Sequence, residues 1–523
     1  MKTRTKDAWK SQLPELLPEF KTVGNKKIFT PRTKELMHII EKGIPKAKHP
    51  KEVAIIGCGM SGMVSASLLA AAGHKVTIYE GSTRVGGRIK TIRAPFTNGL
   101  SGEAGAMRLV TSYQLVFKYI EKFRLKTHVF VNHDVDGKEL ICVNGVKVTR
   151  NEYNKNPDVL KFPTVGKERG KTDTVLWTEA IQPILDMLKD DNVENWAKVI
   201  EKYDQYSVRG YLKAETDLSE GAIEMIEVMG NLESRSNLGL IQQIVETTDH
   251  DPSDTYYGIT GGMDLLPQKF YEYIKALGVK VYFNELLTRI DRGKTVKLHF
   301  EGSRAQAGNA MVGYGVPAPP LIKTAKADEV ILTIPFPMMR TVQVNPAISQ
   351  IKRKTIRELN YNSAHKIFLQ FSERFWETEH GIYGGQIVTD LASRFIYFPS
   401  TDFNGKNGGV VISSYTWATE AAGWDALTDE MRVAYTLNDM VKIFGEQIRD
   451  YFVMGTSQSW QNDIYATGEA AMLSPGQFEE LEGYVQQPED NIHFGGDATS
   501  FKIAWIEGAI EAGIRTALEV NNK

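Results

Sequence analysis

The spacing of apolar positions changes several times along this chain, and the first change is the most informative. Val53-Ala54-Ile55-Ile56 is an unbroken apolar run of strand length. It is followed by Gly57-Cys58-Gly59-Met60-Ser61-Gly62, by an alanine- and leucine-rich segment to Ala72, and by Lys75-Val76-Thr77-Ile78-Tyr79-Glu80. A short apolar run bounded by turn residues reads as a buried strand and the longer small-residue segment as a helix, so the order is strand, tight turn, helix, strand. Ahead of this unit Leu13, Leu16, Leu17, Phe20, Leu36, Ile39 and Ile40 predict short helices. Helical spacing dominates from about 150 to 254, as at Ile181, Ile184, Leu185 and Leu188 and again at Ile223, Met225, Ile226 and Met229. Further helices are expected to run through Ile120 and to Ala276, and strand-like runs stand at 279–283, 330–334, 366–371, 394–397 and 409–415. Residues 301–320 are rich in Gly, Ala and Pro and read as a long excursion between strands.

The turn at 57–62 carries the chemistry. In a βαβ unit the first glycine of G-x-G-x-x-G makes the turn, the second lets backbone approach a pyrophosphate, and the third lets helix pack on sheet. The phosphates then lie on the helix N-terminus, where free N–H groups and the dipole favour an anion. Glu80 closes the second strand, placed to accept from ribose hydroxyls. Gly86-Gly87-Arg88 follows and brings more backbone and a guanidinium towards the same diphosphate. The compound pattern points to tightly but non-covalently held FAD.

Composition narrows the class. With 523 residues, two or three domains are expected, and 42% hydrophobic residues suffice to fill their cores. A formal charge of −2 gives no basic footprint for nucleic acid. The only cysteines, Cys58 and Cys142, have no metal-ligand or redox spacing and read as small buried residues. No apolar run is long enough to span a membrane, and the default expectation is a cytoplasmic protein. The basic segment 46–51 reads as a solvated linker.

Beyond the FAD pattern lie Gly105-Ala106-Met107-Arg108-Leu109, Gly262-Met263-Asp264-Leu265-Leu266-Pro267, His365-Lys366-Ile367-Phe368-Leu369, Arg394-Phe395-Ile396-Tyr397, and Gly495-Gly496-Asp497 followed by Trp505-Ile506-Glu507-Gly508-Ala509-Ile510. In these blocks the chain resembles the flavin-dependent amine oxidase superfamily and, within it, the L-amino-acid oxidases, over nearly its whole length. The resemblance implies an FAD-dependent L-amino-acid oxidase. Arg108 matches the arginine that meets the substrate carboxylate and Tyr415 the tyrosine that shares it. Lys366 matches the lysine near flavin N5, and Trp505 an aromatic beside the flavin, with Trp460 a second wall. Gly57, Gly59, Met60, Ser61, Gly62, Glu80, Gly86, Gly87, Arg88, Gly105, Ala106, Met107, Val281, Gly496, Asp497 and Ile506 fall at cofactor contacts. Trp417 is a candidate side-chain wall.

Three departures limit what carries over. Ala504 stands where the venom enzymes have glycine before the tryptophan, the 301–320 excursion is longer than theirs, and their pocket histidine has no secure counterpart, His250 being nearby but out of register. An amino-acid 2-monooxygenase would use the same pocket, a monoamine or polyamine oxidase would need no arginine for a carboxylate, and a flavoprotein scaffold would not turn over. The fold class expected is α/β within an α+β multidomain chain. A Rossmann-like FAD domain would be built from 47–110, 255–345 and 470–523, a mixed-sheet substrate domain from 1–46, 111–150 and 346–469, and a helical insertion from 151–254. A homo-oligomer is expected, with an L-amino acid and O₂ as partners.

Overall fold

The computed structural model describes residues 8–23, 26–134, 136–190, 192–251, 253–302 and 322–523. Nearly all of the 301–320 excursion lies outside them. Seven elements place the site: Glu52–Ile56 (β1), Met60–Ala72 (α1), Lys75–Tyr79 (β2), Lys280–Tyr282 (β3), Glu329–Leu332 (β4), Ile492–Phe494 (β5) and Ile506–Asn521 (α2). The strands form one parallel sheet in the order β3-β2-β1-β4-β5. Val53 to Ile56 are all buried, as a central strand covered on both faces requires, and this is why β1 reads as a continuous apolar run rather than an alternating one. Ile55 pairs with Ile78 on one side and Ile331 on the other.

α1 is buried almost all round because α2 lies on it. The contact is close: Ser65 Oγ donates to the Gly513 carbonyl at 3.0 Å, and a Cβ added at Gly513 would stand 2.7 Å from the Ser61 carbonyl oxygen. The last helix of the chain thus completes the layer begun at residue 52.

A seven-stranded mixed sheet has the order Val146–Thr149, Leu140–Val143, Gln386–Thr389, Phe395–Tyr397, Gly409–Trp417, Ala364–Phe371, Phe452–Ser459. Ala364–Phe371 is buried at every position, between two antiparallel neighbours. Between residues 150 and 249 the regular structure is helical, the longest helix being Asp173–Leu188, and Ile181, Ile184, Leu188, Ile223, Ile226 and Met229 face inward as their spacing predicts.

Two expectations near the N-terminus need correction. Phe20–Val23 and Lys26–Phe29 are not helical but pair as antiparallel strands, with Phe20 against Phe29 at 6.1 Å between ring centres. Nor is 46–51 wholly solvated: Lys51 pairs with Glu329 at 2.9 Å and donates to the Val520 carbonyl at 3.2 Å. Glu329 is buried at the start of β4, and an acid there requires a cation.

Candidate active site

The exits of β1, β2, β4 and β5 open into a cavity of about 540 Å³. At its first end the three glycines of the turn do different things. Gly57 has φ +106°, and a Cβ there would meet Thr333 Oγ1 at 2.7 Å. A Cβ on Gly62 would lie 2.2 Å from the Gly57 carbonyl oxygen, so this glycine seats the helix on its own turn. Gly59 is the N-cap of α1, no side chain caps that helix, and a Cβ added there meets nothing within 4 Å. The space it would enter is the cavity, and the first-turn N–H groups of Met60 and Ser61 stand open to an anion.

The surrounding polar groups are fixed by backbone. Glu80 accepts from the Cys58 N–H at 2.7 Å and the Ser82 N–H at 2.8 Å. Ser61 Oγ accepts from the Gly496 N–H at 3.0 Å, which ties the exit of β5 to the start of α1. Gly86 and Gly87 both have positive φ and line the same wall. Arg88 is expected on the diphosphate, but both its Nη atoms go to Asp497, one of them at 3.2 Å. Burial opposes its charge, and the Asp497 carboxylate restores it. Arg84, two positions before the glycine pair, has no acid at ion-pair distance among the described residues, and its guanidinium donates to main-chain carbonyls of Val85, Gly87 and Ile89.

At the other end, a Cβ on Gly105 would collide with the Arg88 carbonyl oxygen at 1.8 Å, so glycine is required for the chain to pass. Ala106, Met107 and Arg108 follow along the wall. Arg108 donates to Asn132 Oδ1 and lies 5.3 Å from the Tyr256 ring centre and 5.9 Å from that of Tyr397. No carboxylate among the described residues is at ion-pair distance from it. Burial works against its charge, and the facing phenols of Tyr397, Tyr256 and Tyr415 outweigh burial, so the guanidinium stays charged. Tyr415 lies 3.9 Å from Trp417 between ring centres, and burial first of all keeps its phenol protonated. Trp460 is buried with its Nε1 donating to Ala104 at 2.9 Å. Trp505 packs edge-on against Tyr113 and His250, each at 5.1 Å, and Ile506 lies beside it on the wall. Ala504 has φ +69°, a left-handed conformation costing a non-glycine residue about 1–2 kcal/mol, and its N–H donates to Asp497 at 3.2 Å.

The model of the family described as flavin containing amine oxidoreductase matches residues 60–521. This chain belongs to that family. YobN of Bacillus subtilis, provisionally named an L-amino-acid oxidase, is 38% identical over 93% of this chain and 98% of its own. An L-glutamate oxidase precursor of Streptomyces viridosporus is 31% identical over 92% of this chain and 88% of its own. A solved putrescine oxidase with putrescine bound shares the fold, with a TM-score of 0.70, 18% identity and coverage of 91% of this chain and all of that one. The chain is therefore an FAD-dependent oxidoreductase acting on a CH–NH₂ group.

The cavity of this flavin amine oxidoreductase fits FAD on its own terms. The uncapped helix start at Gly59, the Gly86-Gly87 backbone with Arg84, and the ribose-facing Glu80 would hold the diphosphate end, while Gly105, Ala106, Met107, Trp460, Gly496, Asp497 and Trp505 would border the redox end. Three expected contacts are not on the cavity wall: Gly62 is occupied in helix packing, Val281 pairs with Ile78 inside the sheet, and Lys366 lies behind the wall. Lys366 Nζ donates to the Gly105 carbonyl at 2.7 Å and that of Glu103 at 3.1 Å, 4.3 Å from the Tyr415 ring centre. Tyr256, Tyr397 and Asn132 have no assigned role in the sequence reading because only the fold brings them to Arg108, whereas Arg84, two residues before Gly86, was within reach of the motif. His250 does meet Trp505, with its Nε2 buried and unpartnered, although it does not line the cavity.

Burial pushes the Lys366 ammonium down from 10.5 to about 7. Its folded-state value lies below its unfolded one, so between these limits the unfolded chain binds the extra proton and stability rises with pH. Lys366→Met removes this slope. Urea unfolding at pH 7 and 9.5 is expected to show wild type gaining about 3 kcal/mol on Lys366→Met over that interval. A difference independent of pH would mean the ammonium stays charged.

Proposed function

We propose that this enzyme oxidises L-amino acids to 2-oxo acids, with ammonium and H₂O₂ as co-products. Arg108 carries the reading: a charged guanidinium on the cavity wall, surrounded by tyrosine rings and an amide, with no acid among the described residues at ion-pair distance. A substrate α-carboxylate supplies the missing charge bidentately, with Tyr415 donating its phenolic proton to the same group. Bound FAD would supply the two-electron oxidation of the substrate Cα–N bond, with O₂ as the final electron acceptor. The imino acid left behind adds water to give the oxo acid and ammonium, so one amino acid, one O₂ and one water are consumed for one peroxide.

The chain's own contribution is orientation and exclusion of water. Arg108 fixes the carboxylate and so chooses which face of Cα is presented, Trp505 and Trp460 confine the amine, and the buried Met107 keeps that wall dry. Lys366 holds a proton that it can release near neutrality, one carbonyl behind the wall. An amine without a carboxylate would leave Arg108 buried and unpaired, which disfavours the polyamine reading.

The flavin-loaded protein should be assayed for peroxide and ammonium across L- and D-amino acids and simple amines, with product mass recorded. The expected result is peroxide, ammonium and a 2-oxo acid from L-substrates. An amide product with little peroxide, or turnover of amines alone, would overturn the proposal. The reading extends to a cytoplasmic homo-oligomer. Two free cysteines support the first part, and the exposed Met431, Tyr435 and Val453 on neighbouring elements support the second. Light scattering on the purified enzyme reads its mass.

A further inference from the structure

Arg235 ends the one-turn helix Glu233–Arg235 within the helical stretch and lines the same cavity as Arg108. Its guanidinium stands 5.0 Å from the Trp417 ring centre. Trp417 is in turn 3.9 Å from Tyr415, one of the phenols that face Arg108. The Tyr415–Trp417 pair therefore runs between two guanidiniums. A substrate whose α-carboxylate rests on Arg108 and whose side chain lies along Trp417 extends towards Arg235.

Arg235 is poorly satisfied where it is. Its Nε is buried with no hydrogen-bond partner, its Nη2 donates to the Asn231 carbonyl at 3.2 Å, and no carboxylate among the described residues is at ion-pair distance. The acids nearest in effect are committed elsewhere. Glu420 pairs with Arg394 at 3.2 Å, and Glu469 faces Arg88 more strongly than Arg235. Burial also holds both carboxyls above the usual range, which weakens them as counter-ions. A partly buried guanidinium without an acid is costly, and an incoming anion relieves it.

We propose that Arg235 receives a second carboxylate on the substrate, so that the acidic L-amino acids, L-glutamate or L-aspartate, are the preferred substrates. This rests on the L-amino-acid oxidase reading and gives it a substrate class. Trp417 alone would favour flat apolar side chains, and the cation beside its ring makes that end of the pocket polar. The opposing features are two acids on the cavity wall, Glu246 towards Tyr113 and Tyr256 and Glu469 towards Tyr415, which would favour a basic side chain.

The test is kcat/KM by peroxide release from the flavin-loaded enzyme with L-glutamate, L-aspartate, their amides L-glutamine and L-asparagine, L-leucine, L-phenylalanine, L-lysine and L-arginine. The acid is expected to exceed its own amide by at least about 100-fold, because the amide leaves the guanidinium unpaired. In Arg235→Gln that ratio should fall below about 10, mainly through KM for the acid, and Arg235→Lys should recover part of it. Flavin absorbance and melting temperature check that the variants fold. Equal rates for acid and amide, a preference for L-lysine or L-arginine, or a ratio unchanged in Arg235→Gln would each overturn the proposal while leaving the oxidase intact. No peroxide from any amino acid would overturn the oxidase reading itself, and this inference with it.

Discussion

Arg108→Ala, prepared with its flavin, is expected to lose roughly two to three and a half decades of kcat/KM towards every L-amino acid. The substrate carboxylate must shed water to enter the cavity, and without the guanidinium it is left unpaired, a loss of about 3–5 kcal/mol. Its immediate neighbours do not replace it: Tyr256, Tyr397 and Tyr415 offer phenols but no charge, Asn132 offers a neutral amide, and the second guanidinium, Arg235, lies on the far side of Trp417. Arg108→Lys should recover only part of the loss, since an ammonium is a point charge where a planar fork is needed. Anaerobic stopped-flow reduction separates the cause, because misplacement of Cα slows the reductive half-reaction as well as weakening binding. If Arg108→Ala kept near-normal kcat/KM for all amino acids, the carboxylate would lie elsewhere in the cavity.

Gly59→Asp is the second large effect, and it separates folding from cofactor retention. Gly59 has φ −82°, an ordinary backbone conformation, and a side chain there enters open cavity. Aspartate is a better N-cap than glycine by a few tenths of a kcal/mol, so the protein without flavin should melt no lower than wild type. The same carboxylate occupies the anion position at the start of α1. Two like charges about 4 Å apart repel by about 4 kcal/mol at an effective dielectric of 20, which corresponds to roughly three decades in affinity. Gly59→Asp should purify without the visible flavin absorbance, yet fold. Gly62→Ala should behave the other way, because its Cβ meets backbone 2.2 Å away and the turn itself must move. Flavin absorbance and circular-dichroism melts distinguish the two.

How much of this was legible in the chain depended on whether the determinant was local. The 52–80 unit, with its turn and its acid, was readable because its glycines answer to backbone geometry within a few residues. The strands at 364–371 and 409–417 showed as apolar runs because both are buried on two faces. Arg108 was legible only through the block around it. The tyrosines that keep it charged come from residues 256, 397 and 415, and no spacing rule connects them. Arg88 shows the limit from the other side: its motif placed it on the cavity wall, but its ion-pair partner there, Asp497, stands more than four hundred positions later. No local pattern singles out Arg235, and only the approach of the helical stretch to Trp417 makes it a wall of the cavity.

The sheet order carries a consequence for the making of the protein. β5 closes one edge of the parallel sheet, Gly496 is tied to Ser61, Asp497 takes Arg88, and α2 covers α1, so residues from the last thirty or so complete a pocket begun near residue 57. On a ribosome that emits the chain from its N-terminus, the glycine turn emerges early and waits for nearly the entire remainder before its walls exist. A chain stopped before β5 and α2 is expected to carry the fingerprint without the walls that close the site, and flavin absorbance of such a truncation checks this. Retained flavin in a preparation therefore reports that β5 and α2 have docked on the glycine turn.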